Sequence, residues 1–158
     1  MKLNYLFPNR YKRIGLIILI PSLILGLIVV IYDLEPESFD LNVPAIFVNG
    51  ILEDSAFMGI TNNNILNEIC GVLLIISLIL VAFSKEKQED ELINKIRLES
   101  LVWATYLNYG ILLLAMIFVY ELSFLWVMIF NMFTILLFFI VRFNWQVMKL
   151  NKTVSYEE

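Results

Sequence analysis

In this chain of 158 residues, 60% are hydrophobic and only 16% charged, an apolar share beyond the roughly 45 to 50% of soluble domains. The formal charge of -4 and the lack of a clustered basic and aromatic surface argue against a nucleic-acid partner. There is no histidine, the usual general base and commonest transition-metal ligand, and the single Cys70 cannot form an intramolecular disulfide or a thiolate metal site.

The eleven Lys and Arg residues fall into three short stretches. These are Lys2, Arg10, Lys12 and Arg13; then Lys85, Lys87, Lys95 and Arg97; then Arg142, Lys149 and Lys152. Apolar runs alternate with them, so the positive-inside rule predicts that both termini and the middle stretch face the cytoplasm.

The first predicted span covers 14–32 and carries Pro21 in its interior, where a missing N–H favours a bend. It exceeds the roughly 7 to 15 residues of a signal-peptide core and lacks a small-x-small cleavage site, so it is read as an uncleaved anchor. Counting depth along the spans sets Gly26 opposite Gly71 of the second span, a pairing that permits close backbone approach.

Residues 33–64 form the predicted outer loop, with Asp33, Glu35, Glu37, Asp40, Glu53 and Asp54 and no basic residue. Pro44 and Asn49-Gly50 punctuate its apolar stretches, which suit a short interfacial helix or a hairpin. The run Thr61-Asn62-Asn63-Asn64 offers N-caps for the second span, at 65–83. Glu68 in its first turns suits the positive helix end, and Cys70 reads as a small buried hydrophobe.

The connection at 84–100 alternates charge signs and reads as an amphipathic helix from Glu86 to Ser100 that runs into the third span. Glu91 and Lys95 stand in the favourable i,i+4 order, Leu92, Ile93 and Ile96 form an apolar stripe, and Lys95, Arg97 and Trp103 mark the inner interface. The third and fourth spans, 101–120 and 122–141, are divided only by Glu121. A single helix over both would measure on the order of 60 Å, about twice the hydrocarbon thickness, so a hairpin with Glu121 at its tip is predicted.

Polar side chains within the spans are costly unless partnered. Thr105, Asn108, Asn131 and Thr134 are such residues, and Asn108 and Thr134 come out at nearly equal depth, able to hydrogen-bond as helix-to-helix glue. A ligand or ion path lined by Asn108, Asn131 and Thr134, or a cation site at Glu68, is the competing reading. Tyr5, Tyr11, Tyr32, Tyr120, Trp126, Phe143 and Trp145 crowd the span ends as interface anchors.

Catalytic motifs are missing: no H-E-x-x-H, G-x-S-x-G, G-x-x-x-x-G-K or C-x-x-C occurs. The sequence therefore predicts no catalytic, cofactor-binding or metal site. Residues 84–91, 96–104 with Asn108-Tyr109, 131–134 and Arg142-Phe143 resemble a family of small four-span bacterial membrane proteins without an assigned activity. The resemblance covers the C-terminal half and implies a bacterial inner membrane.

The expectation is thus an all-α polytopic protein of one domain, with four transmembrane helices and its first loop outside. It is read as a non-enzymatic accessory or regulatory subunit in the lipid bilayer, without cofactors, meeting a membrane or cytoplasmic protein partner. An oligomeric transporter or channel is the alternative, and homo-oligomers are compatible with both. An enzyme acting on lipids or quinones is a third, weaker option.

Overall fold

Apolar runs of this length can satisfy their backbone N–H and C=O groups internally only as helices when water is absent. The computed structural model describes residues 5–46 and 58–157 and is mostly helical. Its helices are α1 (Asn9–Tyr32), α2 (Leu66–Ala82), α3 (Glu91–Phe118) and α4 (Leu122–Glu157). By length and composition, α1, α3 and α4 can cross a membrane, whereas α2 is a shorter apolar helix of 17 residues. Ile17, Leu113, Phe118 and Val141 are each more than half exposed, so the outer faces are apolar in the way a bilayer accommodates. Contacts divide the chain into two compact units, Met1–Leu19 with Ile75–Glu158, and Ile20–Leu74.

The unit Ile20–Leu74 holds the C-terminal part of α1, the first half of α2 and, between them, a two-stranded antiparallel ribbon. Strand β1 (Asp40–Ala45) pairs with β2 (Gly59–Asn64), with Val43 opposite Thr61. The chain is therefore not all-α: the loop takes the hairpin option, preceded by a 3-10 turn at Glu37–Phe39. Pro44 is tolerated because each strand of a two-stranded ribbon has a free edge. Val43, Ile60 and Thr61 also favour a pleated, half-exposed surface over a helix. Residues 47–57, with Asn49-Gly50, Glu53 and Asp54, lie outside the described residues.

Helix α1 runs unbroken through Pro21. It ends where Asp33 turns left-handed at φ 49°, and the Leu34 N–H donates to the Val29 carbonyl at 3.1 Å, a Schellman-type stop. Thr61, Asn62 and Asn63 lie in β2 and only Asn64 reaches the start of α2, its Oδ1 accepting from the Leu66 N–H at 3.3 Å. The Asn64 amide donates to the Pro36 carbonyl at 2.9 Å and to Asp40 Oδ1 at 2.7 Å. Val29, Leu66 and Cys70 form the buried core of this unit. Gly26 and Gly71 do not pack as predicted, since a Cβ on either would meet nothing within 4 Å.

In the other unit, α3 and α4 pack together as a helical hairpin closed by Val119-Tyr120-Glu121. Glu121 sits at its tip with φ 58°. The two helices measure about 42 and 54 Å at 1.5 Å per residue, longer than the roughly 30 Å of hydrocarbon. Charge-free stretches, 100–118 on α3 and 122–141 on α4, account for the hydrocarbon length. Beyond them both helices continue into a charged end. The close glycine contact occurs at Gly15 of α1, where an added Cβ would lie 2.9 Å from Val81 Cγ2 and 3.1 Å from the Ser77 carbonyl oxygen.

The predicted helix from Glu86 is shorter than expected. Its first turn begins at Glu91, because the Asp90 side chain accepts from the Ile93 N–H at 2.7 Å and caps it there. The buried stripe of α3 is Ile93, Arg97, Ser100, Ala104 and Asn108, at spacings of three and four, rather than Leu92, Ile93 and Ile96. Leu92 is exposed. Small and polar residues predominate on this face, where Ser100 and Ala104 allow close helix approach.

Candidate functional site

The charged end of the larger unit carries the densest polar chemistry among the described residues. The segment that follows α2 is first stitched to the residues before α1. Phe7 bridges Ser84 in parallel fashion, its N–H donating to the Phe83 carbonyl at 2.9 Å and its carbonyl accepting from the Lys85 N–H at 2.8 Å. The Asn9 amide donates to the Lys85 carbonyl at 2.7 Å. Lys12, in the first turn of α1, then donates to Glu86 and, at 2.9 Å, to Asn144 Oδ1 on α4.

Arg97 is the centre of the site. Only 4% exposed, it donates through Nη1 and Nη2 to both carboxylate oxygens of Glu89, a two-pronged pair. Nη1 also reaches Asn94 Oδ1 at 3.1 Å and Nη2 the Ser84 carbonyl at 3.4 Å. The Glu86 N–H donates to Glu89 Oε2 at 2.9 Å and links the two ion pairs. This geometry requires the break at Asp90. In one continuous helix, residues eight apart would sit about 12 Å from each other along the axis, out of reach of a shared hydrogen bond.

Aromatic rings form the floor. Phe83, Phe139 and Phe143 stack in series, with centroids 5.9 and 5.7 Å apart. The Arg97 guanidinium stands 5.0 Å and the Lys12 ammonium 5.9 Å from the Phe143 ring centre, within cation–π range. Phe143 is thus a buried support for two cations, 2% exposed, and not the interface anchor that its place in the sequence suggests. Arg97 likewise is no surface marker of the interface. Arg142 lies 4.5 Å over the Trp103 ring, and its Nε, the Arg97 Nε and the Ser100 hydroxyl are buried without a hydrogen-bond partner.

Two cavities open here. One, of about 590 Å³, is lined mainly by Leu6, Phe83, Leu98, Leu101 and Phe139, with Arg97 and Lys95 among its polar groups. The other, of about 710 Å³, lies where α1, the 84–90 connection and the ends of α3 and α4 converge.

Of the residues singled out from sequence, Asn108 and Thr134 do meet: the Thr134 hydroxyl donates to Asn108 Oδ1 at 2.6 Å. Asn131 adds its main-chain carbonyl, 3.3 Å from the same hydroxyl. Neither cavity is lined by these three residues. Glu68, in the smaller unit, is exposed and accepts from the Asn63 amide at 2.7 Å. Among the described residues no three His, Cys, Asp or Glu side chains gather as a metal site would need.

Lys12, Glu86, Glu89 and Asn144 carry no local motif. The available signals were the periodic register of Arg97 with Ile93, Ser100 and Ala104, and Asp90 as an N-cap before a periodic run. No protein-family model, curated protein or solved structure matches the chain.

Proposed function

We propose that the chain is a four-span protein of a bacterial inner membrane with both termini in the cytoplasm. In this reading it serves as a non-catalytic accessory or regulatory subunit that docks a protein partner on its charged end. The observation that carries this reading is the continuation of α3 and α4 past their charge-free stretches as a paired helical platform. Its internal charges neutralise one another through Arg97–Glu89 and Lys12–Glu86. Its outer face keeps Trp145 and Met148 exposed three residues apart, on one side of the helix as docking residues are. In α2, charge-free residues 69–84 and helical hydrogen bonding from Ile65 to Phe83 suit a fourth, short crossing.

The transporter reading has less support, because Asn108 and Thr134 hydrogen-bond to each other within one chain. The test is purification from native membranes in mild detergent, with the Trp145→Ala/Met148→Ala variant alongside. A stoichiometric partner recovered with the parent chain, and lost from an equally stable variant, supports the docking face. Recovery of this chain alone overturns it.

A further inference from the structure

We propose that the cavity of about 710 Å³ at the charged end binds an anionic phospholipid, its phosphate held between Arg13 and Lys87. This rests on the inner-leaflet orientation given above. The volume falls within the roughly 300 to 1,000 Å³ of small-molecule sites.

The lining is sorted by chemistry. Leu16 gives an apolar contact at the depth of the acyl chains, and Leu92, Ile93, Val147 and Leu150 form an apolar wall on the cytoplasmic side of the headgroup. The charged groups do not cancel evenly. Glu86 is taken by Lys12, and the Asp90 carboxylate is engaged by the Ile93 N–H. Arg13 and Lys87 are exposed and have no ion pair or hydrogen bond with any described residue. Three cations, Lys12, Arg13 and Lys87, face two carboxylates, Glu86 and Asp90, so the net charge lining the cavity is positive.

Depth agrees with this assignment. Arg13 is the last charged residue before the charge-free stretch 14–32 and Leu16 lies one turn inside it, so headgroup and chain levels coincide with a basic and an apolar side chain. Basic pockets between helices on the cytoplasmic side are suited to anionic headgroups. The ammonium of a zwitterionic lipid would meet two cations of like sign and is disfavoured.

The test is native mass spectrometry of the full chain released from nanodiscs of equimolar phosphatidylglycerol and phosphatidylcholine. The parent chain retains phosphatidylglycerol selectively. Arg13→Gln/Lys87→Gln lowers that preference about 30-fold, equivalent to about 1 kcal/mol per cation, whereas Arg13→Lys/Lys87→Arg keeps it. Equal retention of both lipids, an unchanged preference in the glutamine variant, or displacement by inorganic phosphate alone overturns the lipid site. Maleimide labelling of Lys87→Cys in a Cys70→Ala background checks the orientation separately. Labelling from outside intact cells overturns the orientation, while equal retention of both lipids by the parent chain, with the cysteine of the variant inside, overturns only the site.

Discussion

The Thr134 hydroxyl and the Asn108 side-chain carbonyl, 26 residues apart in sequence, meet at 2.6 Å on facing sides of the α3–α4 hairpin. Asn108 is only 3% exposed, so this bond between the charge-free parts of the two helices has no competing solvent. A double-mutant cycle with Asn108→Leu and Thr134→Val should give a coupling of about 0.6 kcal/mol, and no more than about 1.7, in a reversible unfolding assay. A coupling near zero would mean that shape alone aligns the hairpin.

Glu89→Ala leaves the Arg97 guanidinium buried without its carboxylate. Removing one partner of a buried pair costs about 3 to 5 kcal/mol; because Glu89 retains 21% side-chain exposure, the lower end of that range is expected. Thermal unfolding in detergent should show the loss. The combined Glu89→Leu/Arg97→Met variant should recover most of it, since no unpaired charge then remains.

Gly15 has no room for a side chain. Gly15→Ala brings Cβ to 3.0 Å from Leu80 Cβ and 3.1 Å from the Ser77 carbonyl oxygen, and overpacking of this kind costs about 1 to 3 kcal/mol. Gly26→Ala and Gly71→Ala, which meet open space, should cost nothing and gain up to about 1 kcal/mol of helix propensity. Equal effects at all three positions would refute this packing.

At the hairpin tip, Glu121 adopts a left-handed conformation with φ 58°. A residue with a Cβ loses roughly 1 to 2 kcal/mol there. Glu121→Gly should therefore stabilise the hairpin by about 1 kcal/mol and Glu121→Val destabilise it, both read from unfolding midpoints.

The charge-free stretches, the tip at Glu121 and the Asn108–Thr134 depth match were legible in the sequence, because each follows from a local period or from a length compared with about 30 Å of hydrocarbon. The loop between α1 and α2 was legible only as helix or hairpin. Pairing of Val43 with Thr61 decides between them, and that pairing joins residues far apart in the chain.

What the sequence by itself determined is where apolar helices form and where charge interrupts them, since hydrophobic run length and cation placement are properties of single segments. Only the tertiary structure decided that Arg97 turns inward, that Glu89 folds back past Asp90 to meet it, and that Gly15, not Gly26 or Gly71, is the close contact. The reason is physical. Burial of a charge or a bare backbone is set by which partners arrive from other segments, and Lys12, Ser84 and Phe143 come from three different parts of the chain.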